Sequence, residues 1–456
     1  MNSFQMLLQQ QQRYFHEGHS KSVSYRIEAL RKLRLAIKQF EPNIIEALKA
    51  DLNKSELEAY STEIGIVLEE INITLKNIKR WAKPKRVKTP LTHLGSSSYM
   101  YAQPYGIVLI IAPWNYPFQL AISPLIGAIA AGNVAVIKPS ELAPRTSSVI
   151  SQLIASVFSK EQVAVVEGGI DVNQALLAER WDYIFFTGSV PVGKIVMETA
   201  AKHLTPVTLE LGGKSPCVVH KDAHIQLAAK RIAWGKYLNA GQTCIAPDYV
   251  YIHQDVRDEF VSAFREAVQQ LYGENVLQGE HYTRIVSPRH FQRLISFLED
   301  GRIVMGGKYD EARLQIEPTL MEELTWESPI MKDEIFGPIL PMMTYDELND
   351  VIAGIRQHPN PLALYLFSES KDVQQHMIEQ VSFGGGCIND TIFHVANPYL
   401  PFGGVGTSGI GSYHGKFSFD VFTHYKSVLK QTTRFDLPFR YPNMKNAMKI
   451  IKMLLK

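Results

Sequence analysis

The chain has 456 residues, 46% of them apolar, with 47 Lys and Arg against 45 Asp and Glu, a net charge of +2. That length exceeds one ordinary core and predicts two or three domains, while the balanced charge excludes a bulk electrostatic attraction for nucleic acid. Cys217, Cys244 and Cys387 are too widely spaced for a disulfide framework, which points to a reducing, cytoplasmic setting.

The opening MNSFQMLLQQQQ lacks the basic-then-apolar order of a secretion signal, and no run reaches the roughly eighteen apolar residues of a spanning helix. Between 25 and 48, Leu30, Leu33, Ile37 and Phe40 recur at helical spacings, and Pro42 predicts a break. A second helical region, 56–81, carries Ile64, Val67, Leu68 and Ile71 among acids. The basic, proline-bearing stretch 82–101 then reads as a crossover or an arm.

From 107 onward short β-branched runs alternate with helix-length stretches, the runs being 107–111, 134–137, 163–166, 183–187 and 207–209. Such alternation predicts βαβ units around a buried parallel sheet, the architecture of a nucleotide-binding domain. Ligands of such sheets gather at the carboxyl ends of the strands. Those ends hold Trp114-Asn115-Tyr116, Lys138-Pro139-Ser140-Glu141, Gly188-Ser189 with Gly193, and Glu210 with Gly212-Gly213. The fingerprint GxGxxG is missing, but GSVPVG (188–193) offers a glycine turn opening a helix whose N–H groups can face a phosphate. Glycine also serves such turns for geometry alone, so both readings stand. Lys138 is either a plain surface lysine or, with Glu141, a holder of ribose hydroxyls.

Beyond Glu210 a second alternation runs through 217–220, a helix at 223–237, a strand at 250–253 and a helix at 256–271. Between them NAGQTCIAP (239–247) sets Cys244 on a loop, where a thiolate can meet a carbonyl carbon and a backbone N–H can face the oxygen taking up charge. A free cysteine is as readily a small packing residue. Glycine- and proline-rich segments at 334–338, 383–390 and 400–411 suit a second domain closing over a cleft. Oxidation of an aldehyde needs a thiolate, oxyanion donors, a seat for nicotinamide and a carboxylate to activate water. Cys244, the Asn115 amide with the Cys244 N–H, the sheet, and Glu210 are candidates for these four parts.

The segments PWNYPF (113–118), KPSE (138–141), FTGS (186–189), LELGGKSPCVV (209–219), WGKYLNAGQTCIAPDYV (234–250), EIFGPILP (334–341) and LPFGGVGTSGIGSYHGKFSFDVF (400–422) resemble those of the NAD(P)-dependent aldehyde dehydrogenases. The resemblance spans about 25–430 and is strongest to the class 3 branch, which takes medium- and long-chain aliphatic and aromatic aldehydes. It implies Cys244 as nucleophile, Glu210 as general base and Asn115 as oxyanion donor. It further implies Lys138 and Glu141 at the adenosine ribose and Gly188, Ser189 and Gly193 near the pyrophosphate. Glu334 falls to the nicotinamide ribose, with Phe336 by that ring and Trp114 and Leu211 also at the cofactor. Tyr116 and Trp234 match positions lining the aldehyde tunnel.

The implied fold is α/β and aldehyde dehydrogenase-like. It has a Rossmann-type NAD-binding domain (1–83 and 104–210), an α/β catalytic domain (211–415) and a small β oligomerisation arm (84–103 and 416–430), assembled as a homodimer. NAD is the expected cofactor with NADP tolerated, because Glu141 suits a 2′-hydroxyl better than a 2′-phosphate. Cys217 and Cys387 match no catalytic position and read as packing residues. The scattered histidines form no metal motif. In the tail, 431–456, Met444, Met448, Ile451 and Leu455 make an apolar stripe among Lys445, Lys449, Lys452 and Lys456. That basic amphipathic helix suits peripheral contact with an anionic membrane or docking on its own dimer, and both readings stand. Two other functions remain: transfer of the acyl group to coenzyme A, against which Glu210 argues, and a non-catalytic structural role on the same fold.

Overall fold

The alternation at 107–210 folds into a six-stranded sheet in a computed structural model that describes residues 3–279 and 282–455. Its strands lie in the order Gly409–Ile410, Val207–Glu210, Tyr183–Thr187, Ile107–Ile111, Val134–Lys138 and Val163–Val165. All neighbours are parallel except the first pair, where Gly409 stands opposite Glu210. The runs Ile107–Ile111 and Val134–Lys138 are buried along their whole length, as sheets covered on both faces require. The helix Gln119–Ala131 is also buried all round, pressed between this sheet and the N-terminal helices.

Pro42 does not break its helix. Val23–Leu52 runs through it as one element of 30 residues. Proline removes the bond to the carbonyl of Lys38, but Lys38 and Pro42 both face solvent, where water satisfies that oxygen. Buried Ile37 and Ile44 anchor the helix on either side. An earlier helix, Ser3–Glu17, was not anticipated: its Phe4, Leu7, Leu8 and Phe15 pack against the sheet, and Gln11 Nε2 donates to the carbonyls of Ala135 (3.1 Å) and Lys160 (3.0 Å).

A second sheet has seven strands, ordered Arg302–Met305, Thr319–Glu322, Ile339–Tyr345, Tyr249–His253, Pro216–Val219, Ala363–Phe367 and Gly385–Ile388. Only the first pair is antiparallel. The helices Ile225–Tyr237 and Arg257–Tyr272 pack together beside it. The third sheet is small and antiparallel, built from Lys85–Val87, Ser96–Pro104 and Thr423–Gln431. Between the sheets, the helix Lys416–Val421 packs beneath Gln119–Ala131, with Phe419 against Trp81 at 5.9 Å. Among the described residues no helix is long and apolar enough to cross a membrane.

Candidate active site

The order of the first sheet reverses between Ile107–Ile111 and Tyr183–Thr187, the point where open α/β sheets bind their ligands. A cleft of about 790 Å³ opens there, and Trp114, Asn115, Gly188 and Ser189 line it from the two strand ends. Cys244, Glu210, Glu334 and Phe336 reach the same cleft from other segments. Residues far apart in the chain thus share one space.

The loop carrying Cys244 is built to be rigid. After the helix Ile225–Tyr237, Asn239 (φ 54°), Ala240 (φ 51°) and Gly241 (φ 73°) are all left-handed, which ends the helix abruptly. A Cβ at Gly241 would strike the carbonyl of Gly337. Buried Gln242 then ties the turn down: its Nε2 donates to the carbonyls of Asn239 (3.1 Å) and Arg284 (3.0 Å), and its Oε1 accepts from Val286 N (3.0 Å). Tyr365 Oη donates to the carbonyl of Ile245 at 2.5 Å. The sulfur, half-buried, has little freedom to wander.

Asn115 is fixed to this loop from across the cleft. Its Nδ2 donates to the carbonyl of Gln242 (3.0 Å), and its own carbonyl accepts from Asn239 Nδ2 (2.9 Å) and Lys54 Nζ (3.0 Å). Only one of the two amide hydrogens is used, which leaves the other for a ligand.

Glu210 is not the solvated residue that strand-end glutamates usually are. It is 3% exposed, and neither carboxylate oxygen has a hydrogen-bond partner. Burial therefore holds its carboxyl well above the ordinary carboxylate range. The Cys244 thiol is pushed up too, first by burial and then by the charges of Glu334 and Glu210. An unpaired buried carboxyl and a thiol thus share one cleft, each held toward its protonated form by burial.

Glu334 is likewise raised, mainly by burial and then by Asp248. A Cβ at Gly212 would collide with its carboxylate, so only glycine lets the two segments meet. Sequence reasoning missed what pins this segment: Ile335 N donates to Asp248 Oδ1 (2.9 Å), Lys214 Nζ to the carbonyl of Asp333 (3.0 Å), and Arg293 Nη2 to the carbonyl of Ile335 (2.6 Å). Lys214 follows directly on Gly213, and that adjacency was the one available signal. Phe336, left-handed at φ 51°, meets Trp114 edge-on at 5.3 Å.

The remaining candidates sit at varied distances from the chemistry. Lys138 is buried, not a surface lysine, and its Nζ donates to Glu141 Oε2 (3.0 Å) and the carbonyl of Pro139 (2.8 Å). Glu141 and Ser140 border a separate hollow of about 160 Å³ with Glu167 and Gly168. Leu211 lines the main cleft, while Gly193 lies beneath Leu211 at a helix–strand contact. Tyr116 and Trp234 do not line it. Tyr116 is buried, its hydroxyl 2.6 Å from Thr243 Oγ1, and Trp234 stacks on Phe393 at 5.4 Å.

Residues 3–428 match the Aldehyde dehydrogenase family. The chain belongs to that family. It is 50% identical over 458 residues to 4,4'-diaponeurosporen-aldehyde dehydrogenase of Staphylococcus aureus (strain NCTC 8325 / PS 47), covering all of both chains. It is 45% identical over 415 residues to Aldehyde dehydrogenase family 3 member A2 of Mus musculus, covering 91% of this chain and 86% of that protein. It is 43% identical over 445 residues to the dimeric NADP-preferring aldehyde dehydrogenase of Canis lupus familiaris, covering 97% and 98%. Among solved structures, the substrate-bound state of Staphylococcus aureus AldH superposes with a TM-score of 0.98 at 50% identity, covering all of both chains. As a class 3-like aldehyde dehydrogenase, the enzyme oxidises aldehydes to carboxylic acids with NAD(P). The cleft fits that cofactor: the helix Val190–Ala201 points its N-terminus there from Gly188-Ser189, and the groove at Gly212 admits no larger side chain.

Proposed function

We propose that Cys244 is the nucleophile, Asn115 the oxyanion donor and Glu210 the general base of this aldehyde dehydrogenase. What carries the reading is Glu210, a buried carboxylate without one partner, lining the same cleft as the only cysteine to reach it among the described residues. Sγ releases its proton to solvent through the cleft and adds as thiolate to the aldehyde carbon, and the oxyanion so formed is held by the Asn115 amide and the backbone N–H of Cys244. A nicotinamide cofactor seated in the cleft would supply the hydride acceptor for that carbon. Glu210 then draws a proton from water as it attacks the thioester, and Sγ leaves with the acid released.

Cofactor contacts fall to Trp114, Gly188, Ser189 and Leu211 along the cleft, to Glu334 and Phe336 at the nicotinamide end, and to Lys138 and Glu141 at the adenosine ribose, with Gly193 setting the spacing of the phosphate-binding helix. Glu141 favours NAD, with NADP tolerated by movement of its side chain. The substrate is a medium- or long-chain aliphatic or aromatic aldehyde, since Leu120, Phe402 and Tyr413 give the cleft an apolar wall, and Tyr116 meets Thr243 beside Cys244; Trp234 is proposed for the same pocket. The domain division proposed is 1–83 with 104–210 for nucleotide, 211–415 for catalysis and 84–103 with 416–430 as arm, with the strand Gly409–Ile410 of the second part crossing over to the first sheet beside Glu210.

A homodimer agrees with two features of the single chain. The helix Val190–Ala201 leaves Val192, Ile195 and Met197 exposed, with Leu204 just beyond it 91% exposed. The nine-residue strand Thr423–Gln431 and the strand Gly385–Ile388 are free edges, each able to take a partner strand. The tail helix Ala447–Leu454 buries none of its residues, and Met448, Met453 and Leu455 stand exposed beside Lys445, Lys449 and Lys452. Lys456 lies outside the described residues. This face suits an anionic membrane surface, where apolar aldehydes concentrate. Co-sedimentation with anionic vesicles, comparing the full chain with one ending at Pro438, tests it; equal pelleting overturns it.

The central test is a panel of aldehydes from acetaldehyde to long-chain and benzaldehyde, with NAD and with NADP. The expected result is catalytic efficiency rising with chain length and higher with NAD. Preference for acetaldehyde, or for NADP, overturns the corresponding part of the reading.

A further inference from the structure

Ten residues of the N-terminal helical layer reach under both catalytic loops. Lys54 follows the long helix Val23–Leu52, and Glu63 lies in Tyr60–Ile64, a π-helical turn between Glu56–Ala59 and Gly65–Trp81. Such turns widen the helix by one residue and re-aim a side chain. Here Glu63 points inward, and the Lys54–Glu63 pair, 2.6 Å apart, is fully buried on both sides. Burying an ion pair gives stability no clear advantage over apolar side chains of the same size. Its partners show what else it does.

Glu63 Oε1 takes the Lys54 ammonium, while Oε2 accepts from Phe118 N (2.9 Å) and Gln119 N (3.1 Å), at the end of the loop that bears Asn115. Lys54 Nζ donates to the carbonyl of Asn115 itself (3.0 Å) and stands 4.1 Å over the ring of Tyr116. Tyr116 in turn bonds Thr243, the neighbour of Cys244. Glu58, from the same layer, accepts from Asn239 N (2.8 Å) and Thr283 Oγ1 (3.3 Å), at the left-handed start of the cysteine loop. One ammonium and two carboxylates thus hold the peptide plane from which the Asn115 amide hangs, and the turn that it must face.

We infer that Lys54, braced by Glu63, is a positioning residue for the Asn115 amide: by gripping the Asn115 carbonyl it fixes the direction of that side chain toward the oxyanion. The inference rests on the proposed role of Asn115. A displacement of about 1 Å in such a donor costs on the order of 100-fold in rate. Because the donor acts only as charge develops on oxygen, the loss falls on kcat and not on KM.

The test is a double-mutant cycle on the purified enzyme with a saturating aldehyde and NAD. Lys54→Met with Glu63→Gln removes both charges of the pair together and keeps an acceptor oxygen for Phe118 and Gln119, while Glu58 keeps its bonds to Asn239 and Thr283. It is expected to lower kcat about 10- to 100-fold with KM within about twofold. On an Asn115→Ala background the same pair of changes is expected to cost less than about twofold, because the amide it aims is gone. An equal loss on both backgrounds, or parental kcat in the neutral pair, overturns the inference. Where the neutral pair does not fold, Glu63→Gln alone carries the same comparison. Should Asn115→Ala by itself leave kcat unchanged, the oxyanion assignment fails first, and the two failures are told apart.

Discussion

Glu63 and Glu210 are both glutamates buried within a short reach of the same loops, yet their surroundings are opposite. Glu63 meets an ammonium and two backbone N–H groups, so its charge is matched oxygen by oxygen. Glu210 meets nothing, and its charge is left to be resolved by whatever enters the cleft. The first arrangement holds geometry and the second holds reactivity. The contrast separates a residue inferred to keep this site in shape from one proposed to act in it.

Substitutions break or sharpen that contrast. Cys244→Ala is expected to lower dehydrogenase turnover by about 10⁴-fold or more while leaving the thermal midpoint close to the parent; a turnover equal to the parent's would return the protein to a structural role. Glu210→Gln is expected to slow turnover by about 10²- to 10⁴-fold and to leave a burst of reduced cofactor, one per active site, since only thioester hydrolysis needs the base. The same change is expected to hold or raise stability, by about 1 kcal/mol, because it removes an unpaired buried acid. Glu63→Ala is expected to do the reverse, lowering stability by about 3–5 kcal/mol in urea titration by stranding Lys54. If Glu210→Gln and Glu63→Ala destabilise alike, the distinction collapses.

The pH dependence carries the same message in finer form. With its folded pKa raised above the unfolded value, Glu210 contributes stability that is fully present below the ordinary glutamate range and is lost as pH rises through its raised value. Hydrolysis runs the other way, rising over that window as the base ionises. Glu210→Gln is expected to flatten both curves, and a parental rise in the variant would remove Glu210 as the base. The smallest effect is at the tail: ending the chain at Pro438 is expected to shift stability by less than about 0.5 kcal/mol, since the helix Ala447–Leu454 buries nothing.

The sequence was most legible where a local pattern decides the outcome. The runs at 107–111 and 183–187 matched their strands to the residue, and the segments after them, Trp114-Asn115 and Gly188-Ser189, marked the cleft. Pro42 misled because the cost of a proline depends on whether the orphaned carbonyl meets water, and here it does. The burial of Glu210 was hidden because the strand closing over it, Gly409–Ile410, comes from the far end of the chain. Lys54 and Glu63 gave no warning at all, since an ordinary Lys and Glu in a helical layer look solvated until the loops they hold are folded onto them. Tyr116 gave no sign in the sequence that its hydroxyl meets Thr243, the neighbour of Cys244.

The left-handed run at 239–241 has a corollary for the durability of the enzyme. Asparagine and glycine accept that region readily, but the methyl group of Ala240 is disfavoured there by about 1–2 kcal/mol, so the reactive turn is a wound spring that Gln242 and Glu58 keep shut. Ala240→Gly would let the spring down. Heat tolerance in this protein can then be gained four residues from Cys244, at a residue that does not line the cleft.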